Sequence, residues 1–246
     1  MRKNNPHRYA EYVKAFAEIS RVATAETSLE DILGRIMRIT AEATGFEICS
    51  LWLIDESVKP SKIRLKVSSL DREFMKDSCL DMNEGVIGFV ASTKQPFIAK
   101  NIQREPRFTA KEMGWELGAA SMASVPLQIR DGKVIGVFNC FTAEPRDFKE
   151  VEVNLVRTVA HQSAMAILCE ELTLKTRKLQ DDLETRKLVG RAKDILVRQR
   201  NFSGEEAFRW IQKRSMDSRR SMREVAEAVI LSNVLGYYSS IPHAIE

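Results

Sequence analysis

The stretch RKLVGRAKDILVRQRNFSGEEAFRWIQKRSMDSRRSMREVAEAV, residues 186 to 229, decides how the chain is read. Between Arg186 and Arg223 it holds 12 Lys+Arg against 4 Asp+Glu, a local net charge of +8, whereas the whole chain carries +4. Everything outside the stretch therefore sums to −4 (+4 less +8). A small basic module on an acidic body is the electrostatic footprint of a polyanion binder. The local pattern is that of three helices. Leu188, Ala192, Ile195 and Leu196 recur at helical spacing and end near Asn201. Ser203-Gly204-Glu205-Glu206 and Ser221-Met222-Arg223-Glu224 both have the S-x-x-E form of a capping box, in which serine and glutamate each satisfy one orphan amide. The spacing predicts Ala207, Phe208 and Ile211 on the buried face of the second helix, and Met222, Val225, Ala226 and Val229 on that of the third.

Arg191-Ala192-Lys193 with Ile195-Leu196, then Glu205 with Ala207-Phe208, then Ser215-Met216-Asp217, Arg219-Arg220 and Met222-Arg223-Glu224-Val225-Ala226 hold order, spacing and residue type across all three helices. In these residues the stretch resembles the ANTAR family, the RNA-binding domain of transcription antitermination regulators. The resemblance implies an all-α three-helix module over residues 186–235 that binds hairpin RNA in nascent leader transcripts. Where the family pattern has glycine after the Ala-Lys pair, this chain has Asp194, an acid that lowers phosphate attraction beside Lys193. Arg186, Arg191 and Lys193 on the first helix, with Arg219, Arg220 and Arg223 where the third begins, are the candidate RNA-binding residues. Singly, each reads equally well as a solvated surface charge; as a set on a module with so few acids they favour binding. Trp210 offers a face for base stacking, but its neighbour Ala207 faces the core, which favours packing.

At 246 residues the chain has room for one sizeable domain and one small one. An apolar content of 44% with 29% charged residues is that of ordinary globular proteins. No apolar run approaches the roughly 20 residues of a membrane helix, and the N-terminus lacks the apolar core of a signal peptide, so a cytoplasmic location is expected. Cys49, Cys79, Cys140 and Cys169 show no C-x-x-C spacing, which fits reduced thiols and no zinc site.

Upstream, residues 8–24 read as a helix with Tyr9, Val13, Phe16 and Ile19 or Val22 on its apolar side. Thr27-Ser28-Leu29-Glu30-Asp31 caps a second helix that Gly45 ends. Residues 47–54, 62–68, 96–99, 123–128 and 133–141 are predicted strands. The second of them alternates Ile63, Leu65 and Val67 with Arg64 and Lys66. Residues 85–91 read as a short helix, Arg130-Asp131-Gly132 as a turn, and from Lys149 to beyond Leu183 the pattern is helical again. Strands framed by helices imply an α+β domain with a mostly antiparallel sheet.

Gly85 and Gly88 with Ala91-Ser92-Thr93-Lys94-Gln95-Pro96, then Asn101-Ile102, Arg104, Pro106-Arg107-Phe108, Ser124-Val125-Pro126-Leu127, Gly132, Ile135-Gly136-Val137, Phe148 and Gln162 follow one another in an order similar to that of the GAF family. The resemblance implies a sensor domain over residues 8–168 with a pocket for a small molecule, its ligand and any cofactor unknown. The cyclic-nucleotide signature of some GAF domains is absent. Cys79 is weighed as a tetrapyrrole attachment point and reads better as a structural thiol. His161 is weighed as a haem ligand and reads better as a helix-interface residue. Trp52 and Trp115 read as core before pocket.

Met165, Cys169, Leu172, Thr176, Leu179 and Leu183 follow 4-3-4-3-4 spacing, the seam of a coiled coil over residues 165–187. A parallel homodimer is expected, with a single amphipathic helix packed on its own domain as the other reading. No Gly, Pro or Ser interrupts residues 165–189, so the connection is expected to transmit movement. The whole is read as a GAF-like sensor domain joined by a long coiled-coil helix to an ANTAR module, working as an antitermination regulator. Two other classes are weighed. A ligand-gated protein whose basic module binds DNA or another protein would present polar residues to a major groove, whereas the third helix runs into Ala226, Ala228, Val229, Ile230 and Leu231. A redox-active or nucleotide-processing enzyme would need paired carboxylates, a phosphate loop or a His/Cys dyad, and none stands at usable spacing; no catalytic or metal-ligating residue is assigned.

Overall fold

The computed structural model describes residues 6–69, 78–108 and 118–236. The chain divides into two compact units, Met1–Glu170 and Glu171–Glu246. In the first, strands β1 (Ile48–Asp55), β2 (Lys62–Ser68), β3 (Cys79–Asp81), β4 (Phe97–Ala99), β5 (Ser121–Gln128) and β6 (Val134–Thr142) form one sheet in the order β3-β2-β1-β6-β5-β4. Every neighbouring pair is antiparallel. The central pair, β1 and β6, sets Leu51 opposite Phe138 and Leu53 opposite Gly136. A Cβ on Gly136 would lie 2.1 Å from the Trp52 carbonyl oxygen, so only glycine lets these two strands approach.

Alternation gives the sheet two apolar faces. On one, Leu51, Leu127 and Phe138 pack with Ile19 of α1 (Pro6–Val22), Leu33 and Ile36 of α2 (Leu29–Thr44), and Val156 and Val159 of α4 (Glu150–Arg200). On the other, Trp52, Ile63, Met122 and Val137 pack with Val86 and Val90 of α3 (Gly85–Thr93). Helix α2 starts and stops where local chemistry says it should. The Ser28 hydroxyl accepts from the Asp31 amide at 3.1 Å, and Gly45 closes the helix at φ 70°. A polar knot joins α1, α2 and the start of α4. Buried Glu152 accepts from the Arg146 guanidinium and from the Lys149 amide at 2.9 Å, and Arg146 also donates to the Thr44 carbonyl at 3.1 Å.

Two sequence readings of this unit are corrected. In α1 it is Tyr12, Ala15, Ile19 and Val22 that are buried, whereas Val13 is 68% and Phe16 40% exposed. The helix has apolar residues at helical spacing on two sides, and the core takes the side with small Ala15 and with Tyr12, whose hydroxyl reaches Glu152 at 3.4 Å. The Tyr9 side chain and Trp115 lie outside the described residues. Strand β3 was not predicted: it has three residues and no alternating apolar run, and it holds its place by pairing with β2. Cys79 stands exposed on it, while Cys49 and Cys140 are buried as free thiols 3.7 Å apart. His161 is exposed on α4, and Trp52 is buried with its indole N–H donating to the Ser50 hydroxyl at 3.1 Å.

The second unit contains the C-terminal part of α4, then α5 (Gly204–Ser218) and α6 (Met222–Val234). Its core is Val189, Ala192 and Leu196 from α4, Ala207 and Ile211 from α5, and Val225, Ala226 and Val229 from α6. Phe208 does not belong to it, being 42% exposed. Ala207 and Ile211, four residues apart, stack on the buried face, and Phe208 sits about 100° further round. Ile211→Ala is expected to lower stability by about 2–5 kcal/mol through the cavity it opens. Phe208→Ala is expected to cost about 1 kcal/mol or less, as a largely exposed site. Denaturant-dependent amide exchange over residues 188–229 measures both, and equal losses would contradict this core.

Candidate nucleic-acid interface

Both predicted capping boxes are formed, and they place the basic residues. The Ser203 hydroxyl accepts from the Glu206 amide at 3.2 Å, while Glu206 accepts from the Ser203 amide at 2.7 Å. Ser221 and Glu224 repeat the arrangement at 3.2 and 2.8 Å. The corner between α5 and α6 is closed by Arg219 in the left-handed region at φ 52° and by Ser215, whose hydroxyl donates to the Arg220 carbonyl at 2.6 Å. That corner leaves the side chains of Arg219 and Arg220 exposed beside the first turn of α6, where free amides favour anions.

The six sequence-predicted residues do not share one environment. Arg186, Arg191, Lys193, Arg219 and Arg220 hold no ion pair among the described residues. Lys193 is half-buried, its amine 3.9 Å from the position a Cβ on Gly204 would take, which puts it beside the start of α5. Arg191, two residues earlier, points about 200° away from Lys193 around the same helix. Arg223 is bound on three sides. Its guanidinium meets Glu227 at 3.1 Å, Asp181 at 3.1 Å and Glu184 at 3.3 Å. These contacts raise its pKa further above the ordinary arginine value, the hydrogen bond to Glu227 first. Arg223 therefore ties α6 to α4 within this unit.

Sequence reasoning missed two arginines. The guanidinium of Arg200 lies 5.2 Å and that of Arg214 5.5 Å from the centroid of the Trp210 ring. Arg214 was legible as the i+4 neighbour of Trp210; Arg200 comes from another helix and gave no local signal. In the first unit, a cleft of about 490 Å³ is bordered by Ile54, Glu56, Met82, Lys94 and Lys133, and has the size of a small-molecule site. Among the described residues no group of His, Cys, Asp and Glu is placed to hold a metal ion, and no helix is long and apolar enough to cross a membrane.

Along the chain, a helix-flanked antiparallel sheet domain is followed by a basic three-helix unit. The family model for the GAF domain matches residues 26–168, more than half of the chain, and the chain belongs to that family. The model for the ANTAR domain matches residues 177–230, in that order along the chain. Over 52 residues, 21% of this chain and 25% of the relative, it is 48% identical to the transcriptional regulatory protein PdtaR of Mycobacterium tuberculosis. Over 157 residues, 61% of this chain and 15% of the relative, it is 24% identical to the methyl sulfide methyltransferase-associated sensor of Methanosarcina acetivorans. The chain thus spans a quarter or less of the length of these relatives. The crystal structure of the GAF domain from an Acinetobacter phosphoenolpyruvate-protein phosphotransferase superposes with a TM-score of 0.57 at 24% identity, covering 67% of this chain and 97% of that one; it shows the fold.

The capping boxes carry a pH dependence. Glu206 and Glu224 are held below the ordinary glutamate value, first by the backbone N–H of the cap serine and then by its hydroxyl. A folded pKa that is depressed stabilises the helices above the ordinary value, about 4.3, and the contribution is lost as pH falls through the depressed one. Amide protection in the first turns of α5 and α6 is expected to fall below about pH 4. In the Glu206→Gln/Glu224→Gln protein, whose amides still cap but do not titrate, that loss is expected to disappear; a wild-type-like acid loss would contradict the assignment.

Proposed function

We propose that this chain is a transcription antitermination regulator that binds hairpin RNA in nascent leader transcripts through its ANTAR module, under control of its GAF sensor domain. The observation that carries the reading is the second unit itself: a small apolar core with the cations turned outward, in the region matched by the ANTAR model. Arg186, Arg191, Lys193, Arg219 and Arg220 neutralise phosphates there, and unpaired loop bases are held between them. Arg223 joins the contact only by exchanging Asp181 and Glu184 for phosphate. The sensor domain takes a small molecule, and no catalytic step is needed: the chain acts in the cytoplasm as a regulator, not as an enzyme.

One helix, Glu150–Arg200, supplies residues to both units, so sensor and output share an unbroken backbone. Along it Leu172 is 53%, Leu179 69% and Leu183 53% exposed. These residues are the seam of the expected coiled-coil connector, and their exposure in a single chain supports a parallel homodimer that presents two RNA-binding modules.

Full-length protein is expected to bind short RNA hairpins more tightly than duplex DNA of equal length, with an affinity that falls as salt rises. Filter binding across a salt series tests this, and equal binding to both nucleic acids would favour non-specific polyanion binding instead. Leu172→Asp/Leu179→Asp is expected to convert a dimer into monomers by light scattering. A wild-type protein that is monomeric at micromolar concentration would remove the seam.

A further inference from the structure

Arg186, Lys193 and Arg200 are spaced by seven residues along α4. Seven residues return a helix to within about 20° of the same side, so the three cations form one line. Lys193 sits beside the start of α5, and Arg200 ends the line against Trp210 of α5. Glu206, four residues before Trp210, is held by the Ser203 amide in the cap. Four residues after Trp210 stands Arg214, exposed, with its guanidinium on the indole. Trp210 itself is half-buried, packed against the core cluster of the unit and open on the rest of its surface. Elsewhere in the unit Arg209 pairs with Glu205 at 2.5 Å within α5, and Arg223 meets three acids. At Trp210 two guanidiniums gather on an aromatic ring at the end of a cationic line.

We infer that Arg200, Trp210 and Arg214 form a stacking site for an unpaired RNA base, at the end of a phosphate track made by Arg186 and Lys193. The inference deepens the RNA-binding reading above and rests on it. Indole and guanidinium planes accept any base by its π-face, and a guanidinium that stacks still offers N–H donors to a phosphate. A paired stem keeps its bases in the helix and has none to give, whereas a hairpin loop does. The site thus reads the loop while the track reads the backbone, which gives the module a preference for hairpins over continuous duplexes without reading sequence.

The test uses full-length protein, a pool of short RNA hairpins with randomised unpaired loops, and a fully paired RNA duplex of equal length. Trp210→Leu keeps an apolar side chain for packing and removes the ring. It is expected to weaken hairpin binding about tenfold and duplex binding less than about twofold. Trp210→Phe, which keeps a ring, is expected to restore most of the hairpin affinity. Arg214→Gln changes an exposed residue outside the core and is expected to weaken hairpin binding about threefold or more, so the inference stands or falls even if Trp210→Leu unfolds the unit. Hairpin affinity unchanged in Arg214→Gln, or unchanged in a folded Trp210→Leu protein, overturns the stacking site and leaves the RNA-binding reading in place. Failure of the wild-type protein to bind the hairpin pool overturns both.

Discussion

Three alanines, one from each helix, govern the second unit. Ala192, Ala207 and Ala226 are all fully buried, and side chains this small let helix backbones come close together. In so tight a core, a long side chain at any of the three positions would force the helices apart. Leu196, Ile211 and Val229 fill what remains, and there is no interior room for the long cations in which the stretch is rich. Those cations are consequently displayed at the surface, and their positions follow from helical geometry alone. The same constraint explains why Phe208 is outside: once Ala207 and Ile211 occupy the seam, Phe208, about 100° round the helix from Ala207, falls on the rim.

Charge at that surface is put to two uses. Arg223 is bound into a cluster with Asp181, Glu184 and Glu227, all exposed, so the pairs contribute modestly each but together fix one helix against another. Among the described residues Arg186 and Lys193 carry no such partner, and they stand along one side of α4. A positive track left open by the fold is what a phosphate backbone requires, and its attraction is set by how many phosphates it neutralises. The first unit obeys a different rule: its sheet is packed by helices on both faces, and Arg146 is held by buried Glu152.

What could be seen in the sequence was what depends on neighbours in the chain. The caps at Ser28, Gly45, Ser203 and Ser221, the alternation of β2 and the buried faces of α4 and α6 were all legible, because each is decided within one helical turn or one strand. What escaped depends on partners far along the chain. α1 carries two apolar stripes, and only its packing on the sheet and α2 chooses between them. β3 exists because β2 offers an edge to it. Arg223 meets Asp181 across 42 residues, and Arg200 reaches Trp210 from another helix, so neither contact leaves a spacing signal. Of the six basic residues singled out, the sequence could place three on one helix and three where the last helix begins, and the two-residue step from Arg191 to Lys193 already sets them on opposite sides; it could not say that Arg223 is tied down.

The central claim is that the open side of the second unit, not the sensor domain, receives RNA. Ultraviolet crosslinking of the full-length protein to hairpin RNA, with the crosslinked peptides identified by mass spectrometry, tests it most directly. Crosslinks are expected in peptides from 186–220, with Trp210 among the modified residues because indole in contact with a base is photoreactive. Crosslinks confined to residues before 171, or spread evenly over every basic peptide of the chain, would contradict it.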